Sequence, residues 1–233
     1  MRRAWHKAQP DALQRLKERI EQEFPELRLS VQGDVVFLKG SFPVRYGDEI
    51  LDRYEIELEI PPDLGDSVPR LRETGGRIPW ELDRHIIPAS GEACPVVPEE
   101  WLLRPECGSI LSFLRGPVRN FFISQSLVER GDPWPFGERA HGRPGLIQYY
   151  EELFQTNDPA AIVRYLECLS RDGLKGHWEC PCGSRRRLRD CHIEQLRILR
   201  RRMPRLTARR ALQRLNSRVT TSNARFEGHL RRQ

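Results

Sequence analysis

The apolar residues Leu13, Leu16, Ile20 and Phe24 recur at helical spacing, so the chain should open with an amphipathic helix capped by Asp11 and ended near Glu23 by Pro25. The period then changes to two. "LRLSVQG" and "DVVFLKGSFPV" read as two strands joined by a tight turn at Gly33-Asp34. In "DRYEIELEI", Tyr54, Ile56, Leu58 and Ile60 alternate with acids and Arg53, which marks an antiparallel strand with one wet face. "PRLRETGG" supplies a fourth strand. Residues 78–101, "IPWELDRHIIPASGEACPVVPEEW", are rich in proline and have no period, which indicates a long ordered loop or a functional one.

Helical patterning returns in "GSILSFLRGPVRNFFISQSLVERG", where Pro117 should break or kink the helix. After the irregular "DPWPFGERAHGRPG" come "GLIQYYEELFQ" and, behind an Asn157/Asp158 cap, "PAAIVRYLECLS", with Ile162, Tyr165, Leu166 and Leu169 on one face. "IEQLRILRRRM" and "TARRALQRLN" are basic helical segments, and the last residues form a basic tail. A helix, an antiparallel meander, a long loop and then helices make an α+β layout. The expected division is a first domain over residues 1–156, a small helical module over 157–215 and a flexible tail over 216–233.

Charge divides the chain in a similar way. Residues 171–233 hold 18 Lys and Arg against 5 Asp and Glu, a net of +13, whereas residues 1–170 carry a net of −7. A basic region of this kind meets nucleic acid or an acidic protein surface, or is simply solvated, and charge alone does not choose. No apolar run approaches the roughly 18 residues of a membrane span. The basic N-terminus has no apolar stretch behind it, as a secretory signal would. The expected location is the cytoplasm, with no membrane partner.

Three of the six cysteines fall in "ECPCGSRRRLRDCH", residues 179–192. Cys180, Cys182, Cys191 and His192 supply three thiolates and one imidazole, a complete tetrahedral set for Zn2+ with no open position, hence structural zinc. The stretch resembles the SEC-C zinc motif found at the C-terminus of the bacterial preprotein translocase ATPase, and His177-Trp178 before it suits that family. Cys94, Cys107 and Cys168 remain. Cys168 belongs to a helix face. Cys107 lies close to a helix start, which can lower a thiol pKa. Cys94, in "SGEACPVV", is a small buried hydrophobe, a metal ligand or a reactive nucleophile.

The order of features over residues 11 to about 130 resembles the ubiquitin-conjugating enzyme fold in a divergent bacterial form. That family has a strand ending in proline, a segment rising to a histidine, a glycine three residues before the catalytic cysteine and a tryptophan after it. Here these are "YEIELEIPP", His85, Gly91, Cys94 and Trp101. The family's His-Pro-Asn triplet is replaced by His85-Ile86-Ile87, so the asparagine that stabilises the oxyanion is absent. The resemblance implies an antiparallel meander sheet flanked by helices, followed by the helical zinc module.

The resemblance also implies a function. Cys94 would carry the C-terminal glycine of a ubiquitin-like protein, or of a partner enzyme, as a thioester and pass it to a target amine. Pro95 and Pro98 would stiffen the loop, and Gly91 would let the partner's tail approach the backbone. His85 would support the loop or assist the chemistry. His141, between glycines, would serve as the base for the incoming amine or be a surface residue. In bacteria such proteins occur in anti-phage operons beside activating enzymes or cyclic-oligonucleotide synthases, which are the expected partners. An inactive ubiquitin-like-binding adaptor and a nucleic-acid-binding protein are the alternatives.

Overall fold

A computed structural model describes residues 3–46, 49–135 and 143–216. After a short helix α1 (Trp5–Ala8), α2 (Pro10–Glu23) begins with Pro10 at its first turn; Gln9 occupies the capping position and Asp11 lies inside the helix. Its Ile20, with Phe24 beyond the end, packs on a five-stranded sheet of β1 (Leu27–Gln32), β2 (Val35–Tyr46), β3 (Glu49–Ile60), β4 (Arg70–Glu73) and β5 (Glu92–Ala93). The strands follow chain order and every pair is antiparallel.

Register explains which face is buried. Leu29, Leu38, Leu58, Leu71 and Ala93 stand side by side across all five strands and belong to or pack on one core. The adjacent row, on the opposite face, is Arg28, Lys39, Glu57, Arg72 and Glu92. Glu57 is bridged there by Lys39 at 2.5 Å and Arg72 at 3.2 Å. Such rim pairs each add at most about 1 kcal/mol, so the burial of the apolar row dominates. Gly40 in β2 has φ +133, and a Cβ there would stand 2.2 Å from the Glu26 carbonyl oxygen, so only glycine lets β1 and β2 meet at this point.

Across the sheet runs α4 (Ile110–Phe113), continued through a π-helical turn at Leu114–Val118 into α5 (Arg119–Glu129). The helix therefore passes through Pro117 rather than ending there. The wider turn accommodates the missing N–H and the ring. Phe122 of α5 stacks on Tyr54 at 4.5 Å, and the Tyr54 hydroxyl shares a 3.0 Å hydrogen bond with Ser126.

A second core gathers α6 (Arg143–Phe154), α7 (Pro159–Ser170), α8 (Ile193–Arg202) and α9 (Arg205–Asn216). Its centre is a stack of Tyr150, Phe154 and Tyr165, with centroids 5.3 and 4.8 Å apart. The helical core includes α6, ahead of the expected start at residue 157. The basic helices α8 and α9 bury Leu196, Leu199, Ala208, Ala211 and Leu215 against it, so they are amphipathic packing elements. The two cores meet at residues 96–103. Val96 packs on the first, while Val97 and Leu103 pack on the second, with α3 (Pro98–Leu102) between them. The expected tail over 216–233 lies, beyond Asn216, outside the described residues. Among the described residues, no helix is long and apolar enough to cross a membrane.

Candidate active site and metal centre

Cys180, Cys182, Cys191 and His192 converge, with their ligand atoms all within 4.8 Å of one another. The local chain explains the convergence. Glu179 and Arg187 form a β-bridge, Cys180 N–H donates to the Arg186 carbonyl at 2.8 Å, and Leu188 N–H donates to that of Trp178 at 2.7 Å. This miniature hairpin turns at Gly183, whose φ of +82 suits glycine, and a 3-10 turn at Leu188–Asp190 delivers Cys191 and His192. His192 Nδ1 lies 3.2 Å from the Cys180 sulfur and 3.1 Å from that of Cys191. At Cys182 burial opposes ionisation, but hydrogen bonds with the Ser184 hydroxyl and N–H and with the neighbouring Cys180 and Cys191 together draw the thiol below its usual range. Arg164 of α7 donates to the Pro181 carbonyl at 2.8 Å and locks the loop to the helical core. Three sulfurs and one nitrogen so placed can hold one metal ion.

Cys94 directly follows β5, where the sheet stops. The apolar row that turns Ala93 inward turns the next side chain outward, and Cys94 is exposed. Its backbone is fixed by a second hairpin. Cys94 N–H donates to the His85 carbonyl at 2.8 Å, Ile86 bridges to Ala93, and Ile87 N–H donates to the Glu92 carbonyl at 2.8 Å. His85 takes a left-handed conformation, φ +53, at the end of a 3-10 turn, and its ring packs on Trp134 at 4.3 Å. The contact this histidine makes with Cys94 is thus through the backbone. Its ring takes part in packing.

Gly91 does not leave an open approach to the loop. Its φ is +67, and a Cβ would stand 2.5 Å from the indole of Trp80, which covers it. Trp80 is itself 54% exposed. His141, expected as a base, lies outside the described residues. Cys107 lies close to a helix start, two residues before Ser109, which caps α4, and its sulfur faces the Gly65 carbonyl at 3.8 Å. Burial pushes its thiol up. Cys168 is buried in α7 as the helical pattern required.

The Cys94 thiol opens on a cleft of about 900 Å3 that runs between the two cores. One wall comes from the sheet side, with His85, Ile86, Phe121 and Trp134; the other comes from α6 and α9, with Leu146, Arg210 and Arg214. Packed walls stand around a thiol that water still reaches, so the low polarity raises its pKa. Glu92 adds to the rise and Arg214 opposes it. Arg214 is held by Glu99 of α3, whose Oε1 accepts from Nη1 at 2.5 Å. Glu99 is only 3% exposed. One helical turn earlier, Arg210 donates to the Asp66 carbonyl at 2.8 Å.

Glu99, Arg210 and Arg214 were not readable as site residues in the sequence. The available signal was their placement: two arginines four apart, flanking Ala211, on the edge of a buried helix face. The chain matches no protein-family model, no curated protein and no solved structure.

Proposed function

We propose that the chain is a conjugating enzyme of the ubiquitin-conjugating type, in which Cys94 carries an acyl group as a thioester and delivers it to an amine. The acyl group is the C-terminal glycine of a ubiquitin-like protein or partner enzyme. The observation that carries this reading is an exposed thiol on a hydrogen-bonded hairpin, set at the end of an antiparallel meander and facing a cleft large enough for an extended peptide tail. A rigid loop with an accessible sulfur favours repeated acylation, because the nucleophile is held in place while the acyl group changes. Support also comes from the order of elements, helix, meander, cysteine loop and helices, which is the order the resemblance implied. His141 is the proposed proton acceptor for the amine.

The metal is proposed to be zinc. Three thiolates and one imidazole match its preferred donors, fill a tetrahedral shell and leave no position for substrate. Its role is structural, closing the loop that joins α7 to α8.

A second reading is an adaptor that binds a ubiquitin-like protein without chemistry. The observation favouring it is the raised pKa of Cys94, which lowers the thiolate fraction at neutral pH. Purification of the full chain from its native cells, with free thiols alkylated and reductant withheld, separates the two. The enzyme reading expects a mass adduct on Cys94 that thiol reagents release; partner bound only non-covalently would favour the adaptor.

A further inference from the structure

A second cavity, of about 710 Å3, lies against the metal centre, between α7 and the metal-site hairpin. It shares no lining residue with the Cys94 cleft. One aromatic ring and two arginines set its character. The Arg171 guanidinium lies over the half-buried Trp178 ring, 4.6 Å from its centroid, so positive charge and a π surface meet in one wall. Arg185 lines the same cavity and is exposed, and its side chain has no hydrogen bond or ion pair among the described residues. Its backbone is left-handed, φ +59, which strains an arginine and would not strain a glycine. No contact in the described fold offsets that strain. Arg187, also exposed, is equally without a side-chain partner among the described residues. Arg164 is engaged, donating to the Pro181 carbonyl at 2.8 Å and to Asp158 at 3.0 Å.

The cavity is not uniformly basic. Glu167 and Glu179 line it as exposed carboxylates without an ion pair among the described residues. A phosphate group or an acidic peptide inside would meet their charge. A nucleobase would not, because carboxylates accept from its exocyclic amino group. A duplex hides the faces of its bases from an indole in a concave site, whereas a single strand can turn one base inward. An anionic membrane offers charge to the arginines but nothing to the ring.

We infer that this cavity is a binding site for single-stranded nucleic acid. One base rests on the Arg171–Trp178 pair, and the phosphates that flank it lie outside on Arg185 and Arg187. Glu167 and Glu179 accept from the amino group of the base, so cytosine is preferred to uracil, which has none. The net +13 of residues 171–233 draws a polyanion to this end of the chain, and the ring and carboxylates select within it. The site does not rest on the acyl-transfer reading above and stands or falls without it.

The full-length protein is titrated into short fluorescein-labelled oligocytidylate and oligouridylate, and fluorescence anisotropy gives Kd over a range of salt. The wild type should bind oligocytidylate more tightly than oligouridylate. Trp178→Ala should weaken oligocytidylate binding about tenfold, in the lower range for a lost stacked base, and Trp178→Phe should recover part of it. Arg185→Gln should weaken both oligomers alike and reduce the slope of log affinity against log salt by about 0.7, as for one lost phosphate contact on a single strand. Glu167→Gln/Glu179→Gln should narrow the preference for cytosine. Trp178 also packs on the helical core, so circular dichroism checks each variant, and the exposed Arg185 tests the site without disturbing that packing. A wild type that binds neither oligomer overturns the proposal, as does binding unmoved in folded Trp178→Ala and Arg185→Gln. Phosphatidylglycerol vesicles held through Arg185, with neither oligomer bound, would assign the arginines to an anionic surface instead. A duplex of equal length bound as tightly as the single strand would overturn the stacking of a base on Trp178.

Discussion

The amide of Cys94 donates to the carbonyl of His85 at 2.8 Å, and the ring of His85 turns aside to pack on Trp134 at 4.3 Å. The two residues are thus joined by a hairpin of main chain, which holds the sulfur at the cleft while the imidazole packs on the indole. His85→Ala should therefore act on stability. Loss of the ring contact should cost about 1 kcal/mol, and the left-handed backbone adds strain that any residue other than glycine must bear. A lower melting temperature with nearly unchanged iodoacetamide reactivity at Cys94 is the expected outcome. His85→Gly should recover part of the stability, because glycine relieves the strain at φ +53.

Gly91 has a different constraint. Both its φ of +67 and the indole of Trp80 exclude a side chain, so Gly91→Ala should destabilise the hairpin by about 1–3 kcal/mol. Trp80 must move, and a change in tryptophan fluorescence should accompany the fall in melting temperature. An unchanged spectrum and melting point would mean that the indole does not rest on this glycine.

Acid should weaken the first core through Asp52. A hydrogen-bonded pair with Arg77, at 2.7 Å on both oxygens, lowers its pKa to about 2; burial opposes this, and Arg53 N–H and the Ser126 hydroxyl assist. A carboxylate whose folded pKa lies below its unfolded one stabilises the fold above the unfolded value near 3.8, and that contribution disappears as pH falls toward 2. After discounting for solvent around the pair it amounts to about 1 kcal/mol. Urea denaturation at pH 3 and pH 6 should show a smaller loss on acidification in Asp52→Asn than in the wild type.

Metal removal should be felt in the helical core. Elemental analysis is expected to find one zinc per chain, and Cys182→Ser should lose it. Because Arg164 ties the knuckle to α7, loss of metal should also lower the melting temperature of the α6–α9 core. Zinc content unchanged in Cys182→Ser would remove this cysteine from the ligand set.

Long periodic segments were legible in the sequence because burial alone determines them. The stripe of Leu13, Leu16 and Ile20 and the alternation of Tyr54, Ile56, Leu58 and Ile60 reappear as α2 and β3. The four metal-site residues were legible because a donor set at close spacing needs no tertiary context. What was not legible depends on partners far away in the chain. The two residues of β5 have no period of their own and become a strand only by pairing with β4. The turn-and-a-half of α3 forms where Trp101 is buried in one core while Leu103 reaches the other. Pro117 signalled a break, yet packing of Leu114 and Val118 carries the helix through a π turn. Arg214 read as one more charge in a basic helix, because nothing local reveals that Glu99 lies across from it.

The central claim is that Cys94 forms a thioester, and a comparison of linkage chemistry tests it most directly. In native cells, wild-type protein isolated without reductant should carry a covalent partner that dithiothreitol releases. Cys94→Ser should carry the same partner as an oxyester, which dithiothreitol leaves in place and mild alkali removes. Peptide mapping should locate both linkages at position 94. An adduct that persists in Cys94→Ala, or a wild-type protein whose Cys94 is always recovered as the free thiol, would contradict the account.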